Sequence, residues 1–318
     1  MKHIIKIAGL TCLFLALMFG YMFWSQNVGH GDNLIDDSDR EVPFFRVMST
    51  MDTTLIDPKI HIYYQEIIND KYRLLSSRTY ESRMRDVCKH YDDICDRMKI
   101  EGDFSLRELY VFTVFTVYLI DQIDDHTLLE ISGLRTTLAC IIFDKSSDDI
   151  TRGKAHRNVL INTYDMRSVI ELFEVMTHEL MHIFDLVLDD KLSTQKSSQY
   201  KEFGRKSFGI NDWSLRFYAL SWQSTNKKRN STREHNIISG YGHTNAIEEF
   251  AEFGNAWINH QVPLLAIARE DPHLLQKYLL FKQLFERFIN KDIDTYRNKN
   301  LEERPYDTSR WHDTVSNK

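Results

Sequence analysis

Residues 168–190, SVIELFEVMTHELMHIFDLVLDD, are apolar on almost every side of a helix. A helix of that kind is normally buried in a core. Its polar residues are not scattered. Glu171, Glu174, His178, His182, Asp185 and Asp189 recur at spacings of three and four and form one stripe along one side. Ser168 with Glu171 makes a capping box that starts the helix. A buried ionisable stripe must be neutralised by something, and a metal ion does this directly. A solvated face is the competing explanation for the stripe.

Elsewhere the apolar pattern predicts further helices. One spans roughly 59–75, another 80–98, and a third starts at Ser105, where Ser105 and Glu108 form a capping box. The run Leu109–Ile120 that follows is too short to cross a membrane, and its β-branched content fits either a buried helix or a strand. Short strands are expected at Thr137–Phe143 and Asn158–Thr163, the second ending just before the polar-striped helix, with Tyr164 and Asp165 at the turn. Its position makes it a candidate for adding an extended peptide to a sheet. Residues 191–240 are polar, carry Lys227-Lys228-Arg229 and read as a solvated loop, although Trp213 and Trp222 suggest that part of it folds back on the body. A helix is expected from about Asn245 to Asn259, with Gly254 allowing close helix approach. Residues 262–290 repeat LLxxYLLFxxLFxxFI and read as a packing helix without chemistry.

With only 12 Gly and 5 Pro in 318 residues and few alternating β-branched runs, these elements add up to a mainly helical α+β chain. Hydrophobic residues at 42% and charged residues at 27% are those of an ordinary globular protein. A net charge of −6 offers no case for a nucleic-acid partner.

The N-terminus departs from that picture. Lys2 and Lys6 flank the start of an apolar stretch, Ile4 to Trp24, long enough as a helix to reach about 30 Å. Asp32, Asp36, Asp37 and Asp39 follow, so the charge order favours a cytoplasmic N-terminus and an exported body. A cleaved signal peptide is the rival reading, but the stretch ends in Tyr21-Met22-Phe23-Trp24 and not in small residues. The organisation expected is an anchor at 1–24, a linker at 25–58, a helical region at 59–130, a domain at 131–295 built around the polar-striped helix, and a polar tail at 296–318. Asn230-Ser231-Thr232 is a glycosylation sequon, meaningful only in a eukaryotic secretory host. Cys12 lies inside the apolar stretch, Cys140 reads as core, and Cys88 and Cys95 can pair only if the chain bends between them. In one straight helix their Cα atoms would stand about 10 Å apart, beyond bridging range.

The chemistry concentrates in His178-Glu179-Leu180-Met181-His182, an H-E-x-x-H pattern. Positions four apart share a helix face, so both imidazoles can meet one metal ion. Glu179 stands beside them, placed to take a proton from a water. Two imidazoles and a carboxylate suit one zinc ion with a coordination position left open. Glu248 can supply the carboxylate, and Glu252, one turn on, can hold a ligating histidine in its tautomer. Asn245 with Glu248 also fits a plain capping box.

The spacing H-E-L-M-H-x-x-D, followed by Tyr241 and, seven residues later, Glu248-Glu249-Phe250-Ala251-Glu252, resembles the gluzincin metallopeptidases, most closely the anthrax-lethal-factor and Pro-Pro endopeptidase type. The resemblance covers about 100 residues, 158 to 260, and is specific in its two short motifs. It implies a zincin-like domain with a small sheet, an H-E-x-x-H helix and a following glutamate-ligand helix. It implies His178, His182 and Glu248 as zinc ligands, Glu179 as general base, Glu252 behind a ligand and Tyr241 as donor to the developing oxyanion. Two features depart from the pattern. Glu249 replaces an aromatic residue, which leaves the ligand between Glu248 and Glu249, and the segment between the motifs is longer than usual. His243 is a second candidate for the Tyr241 role, and Tyr241 also reads as a loop aromatic between Gly240 and Gly242. The function expected is a zinc-dependent endopeptidase acting on extracytoplasmic peptides or proteins, membrane-anchored at the cell surface, or secreted if the N-terminal segment is cleaved. The alternative is a non-catalytic zinc-containing binding or scaffold protein at the membrane surface.

Overall fold

The computed structural model describes residues 58–124, 141–145, 153–155, 159–163, 166, 169–188, 197–202 and 206–288. The expected anchor, the linker up to residue 57, Cys12, Cys140, the cap residue Ser168, Tyr164, Asp165, Asp189 and the tail at 296–318 lie outside these residues, and Pro58, expected to end the linker, begins the first described helix. Among the described residues no helix is long and apolar enough to cross a membrane.

The chain is mainly helical with a small sheet. Among the described residues the helices are α1 (Pro58–Ile68), α2 (Ser77–His90), α3 (Asp92–Cys95), α4 (Leu106–Asp124), α5 (Val169–Val187), α6 (Ser214–Ser221), α7 (Ala246–Asn259), α8 (Gln261–Glu270) and α9 (Pro272–Phe288). A four-stranded sheet holds β1 (Met98–Glu101), β2 (Ile141–Asp144), β3 (Gly153–Ala155) and β4 (Val159–Asn162) in the order β1-β2-β4-β3. β1, β2 and β4 run parallel, and β3 is antiparallel to β4. The polar region after α5 contains the hairpin β5 (Ser197–Glu202) and β6 (Lys206–Gly209), and a second hairpin of β7 (Trp222–Ser224) and β8 (Lys227–Lys228).

The ambiguous run 109–120 is helical, as part of α4. Ser105 Oγ accepts the Glu108 N–H at 3.3 Å, while the Glu108 carboxylate accepts the Ser105 N–H at 2.7 Å, so the capping box starts the helix. Val111, Phe112, Val114, Phe115, Val117, Tyr118 and Leu119 are then buried on every side. Tyr118 stacks on Tyr64 of α1 at 3.8 Å, Phe112 on Phe143 of β2 at 4.2 Å, and Phe115 meets Phe173 of α5 edge-on at 5.3 Å. Such burial outweighs the modest helix penalty of β-branched residues.

Five expectations are corrected. The helix predicted at 80–98 stops at His90, because Tyr91 leaves the helical region at φ −129°, ψ 46°. The turn this creates brings the Cys88 and Cys95 Cα atoms to 5.6 Å, and the two form a disulfide. Residues 98–101, placed among helices by their pattern, form edge strand β1. The strand at 159–162 is flanked on both sides, by β2 and β3, so it has no free edge for strand addition. The region 191–240 is folded in its described part: Trp222 is buried, and its carbonyl accepts the Tyr200 hydroxyl at 2.7 Å. The C-terminal helix is two helices divided at Asp271, whose carboxylate caps α9 by accepting the His273 N–H at 2.8 Å.

α5 and α7 pack across the centre of the molecule. Gly254 lets them close, since a Cβ there would lie 2.6 Å from Met181 of α5 and 2.9 Å from Phe281 of α9. Their facing polar stripes bring the candidate residues together.

Candidate metal centre

α5 is buried along its length, and its stripe turns toward α7. His178 and His182 sit one turn apart, with ring planes at 84° and the two Nε2 atoms 3.1 Å from each other. The third member arrives from the start of α7. Asn245 caps that helix, its side-chain oxygen accepting the N–H groups of Ile247 at 2.9 Å and Glu248 at 3.0 Å. The cap reading of Asn245 therefore holds, but the Glu248 carboxylate does not fold back to it. Its Oε2 lies 3.1 Å from His178 Nε2 and 3.3 Å from His182 Nε2.

These three separations are informative. Zinc bonds of about 2.0–2.1 Å in a tetrahedron put neighbouring ligand atoms about 3.3–3.4 Å apart. The observed 3.1, 3.1 and 3.3 Å are close to that edge length, and the donor set is one zinc accepts. Behind the trio, Glu252 Oε1 stands 2.8 Å from His178 Nδ1, fully buried, where it can hold that imidazole in the tautomer with Nε2 facing the centre.

Electrostatics follow from crowding carboxylates into a buried space. Burial opposes charge on His178, but hydrogen bonds to Glu248 and Glu252 outweigh it and push its pKa up to about 10. Burial would also raise the Glu248 pKa, yet the two histidines hold it well below the usual carboxylate range. The proton held between these groups is one a divalent cation would displace. Glu179, beside the trio, has its pKa raised chiefly by burial, with Glu248 and Glu252 adding to the rise against the pull of the histidines.

No protein-family model matches the chain. No curated protein or solved structure matches it either.

Tyr241 lies in a 3-10 turn, Tyr241–His243, just ahead of α7. Its ring centre is 5.7 Å from that of His178, and the residue is 40% exposed, so it stands at the rim of the centre. Burial, and then the charges of Glu248, Glu179 and Glu252, raise its pKa and keep the hydroxyl protonated. His243, two residues on, is not brought to the centre. Its ring nitrogens meet the Lys228 ammonium and the Glu234 carbonyl.

Glu249, the rival ligand, points elsewhere. Its carboxylate pairs with Lys277 of α9 and accepts the Trp222 indole N–H at 2.5 Å. Residues that the sequence pattern did not single out also shape the centre. Gly153, in edge strand β3, faces Glu179 so closely that a Cβ would lie 2.4 Å from Oε1, so any side chain there would displace the carboxylate. Lys277 is fully buried, and its pKa is lowered by that burial. A signal for it was present: Lys277 falls in helical register with Leu274, Phe281 and Leu284, where the pattern calls for an apolar residue. Of the remaining stripe, Glu174 meets His260 at 2.7 Å and Asp185 accepts the Tyr218 hydroxyl, so protein partners as well as the candidate metal neutralise it.

Proposed function

We propose that the protein is a zinc-dependent endopeptidase of the gluzincin kind, with a zincin-like domain formed around α5 and α7. The observation that carries this reading is the convergence of His178, His182 and Glu248 at zinc-ligand spacing, with the Glu179 carboxylate alongside. A zinc ion held there would supply Lewis acidity and a water acidified to a pKa of about 7.

The protein's own groups then have distinct tasks. Glu179 accepts a proton from the attacking water on its carboxylate and passes it to the leaving amine nitrogen. One carboxylate beside the trio can serve both transfers, since the proton it takes from water is the one it returns to the amine. Tyr241, protonated and at the rim, donates its hydroxyl to the carbonyl oxygen as that atom gains charge. Glu252 holds His178 in place throughout. A purely structural zinc site would need neither Glu179 nor Tyr241, which weighs against the scaffold alternative. The Cys88–Cys95 disulfide supports an extracytoplasmic location for the body, since cytosolic thiols are normally kept reduced.

Metal analysis of the purified protein together with a peptide-library cleavage profile tests the reading. One zinc per chain and cleavage lost to a chelator and restored by zinc are expected. Zinc without cleavage of any peptide would favour the scaffold alternative, and no zinc would overturn the metal centre.

Tyr241→Phe is expected to keep zinc and KM and to lower kcat by about 100- to 1000-fold, the usual cost of one oxyanion donor. The hydroxyl acts only as charge develops, so its loss affects the transition state and not the bound substrate. Wild-type turnover in this variant would remove Tyr241 from the mechanism.

A further inference from the structure

Lys277 and Glu249 form an ion pair buried on both sides, with 0% and 1% of their side chains exposed. The Lys277 ammonium also donates to the Asn236 carbonyl at 2.6 Å, and Glu249 accepts from the Trp222 indole at 2.5 Å. A buried pair of this kind adds little net stability, because desolvating two charges offsets most of their attraction. Its value lies in what it holds in place.

Both groups gripped by Lys277 lead to the candidate metal centre. Glu249 follows Glu248 on α7 and is rotated from it by about 100°. Holding Glu249 against α9 and Trp222 sets the rotation of α7 about its axis, and that rotation turns Glu248 toward His178 and His182. Asn236 begins the buried run Asn236–Ser239 that ends in the Tyr241 turn. Ser239 Oγ accepts the Gly242 N–H at 3.0 Å. That turn is in van der Waals contact with α7: a Cβ at Gly242 would lie 3.5 Å from the Glu249 Cα, and 3.1 Å from Ile237 in the run that leads to the turn. Asn236 is itself steadied by its side chain, which donates to Asp271 at 2.8 Å.

We propose that Lys277, acting through Glu249 and Asn236, is a positioning residue that sets Glu248 in the metal centre and Tyr241 at its rim. This rests on the metallopeptidase reading of the centre.

The test uses the full-length protein and measures zinc affinity by competition with a chromogenic chelator, alongside heat stability and kcat at saturating zinc. Lys277→Met with Glu249→Gln removes both charges while leaving an acceptor for Trp222. It is expected to keep the melting temperature near that of wild type, to weaken zinc by about 10- to 100-fold and to lower kcat even when zinc is saturating. A residue with only a structural role would move stability and not zinc affinity. Unchanged zinc affinity and kcat in the folded double variant overturn the proposal. If the double variant does not fold, Lys277→Gln decides, since it takes the ammonium from Glu249 and Asn236 and leaves a neutral amide in its place. A several-fold loss of zinc affinity there supports the proposal, and no loss overturns it. Wild-type protein that binds no zinc would instead overturn the metal centre itself, so the two failures are told apart.

Discussion

Glu179→Gln is expected to retain zinc and to lose peptide cleavage, with kcat falling by about 100- to 10,000-fold, the usual contribution of a positioned general base. That range corresponds to roughly 3–5 kcal/mol of barrier. Glutamine has the shape of the residue it replaces, so it fits the space beside Gly153 that admits no further atom. It cannot take a proton from water, and it removes no member of the His178, His182 and Glu248 trio. Zinc content and kcat measured on the same preparation separate the two effects. Near-normal turnover with full zinc would mean that a group other than Glu179 moves the proton; among the described residues, the carboxylates of Glu248 and Glu252 both engage His178.

Glu248→Ala is expected to weaken zinc binding by about 100- to 1000-fold while leaving the protein folded. One ligand of four supplies roughly a quarter of the 10–16 kcal/mol typical of structural zinc sites. Glu249→Ala is expected to act differently. It strands the Lys277 ammonium in the core, at a cost of about 3–5 kcal/mol, and its main readout is a large fall in melting temperature. Full zinc occupancy in Glu248→Ala, with zinc lost from a folded Glu249→Ala protein, would reassign the ligand.

Much of the candidate centre is legible in local pattern. Helical periodicity puts His178 and His182 on one face and Glu248 and Glu252 on another, because that geometry depends only on 3.6 residues per turn. The Ser105–Glu108 and Asn245 caps are equally local, since each joins groups two or three residues apart. Gly254 as a point of close helix approach was readable for a similar reason, a missing side chain on a face otherwise apolar.

The remaining features depended on partners distant in the chain. Periodicity separates Glu248 from Glu249 by about 100° but does not say which of them meets α5. Lys277, 28 residues away, and Trp222, 27 residues away, decide that by taking Glu249. The run at 109–120 could be helix or strand until Tyr64, Phe143 and Phe173 surrounded it. Cys88 and Cys95 became a disulfide only because Tyr91 breaks the helix between them. The 159–162 strand lost its free edge to β3, a three-residue segment too short to announce itself by alternation. Sequence by itself determined which faces carry chemistry, because a face is set by neighbours a turn away. Tertiary structure decided which faces meet, because burial and charge pairing act between segments whose approach no local period encodes.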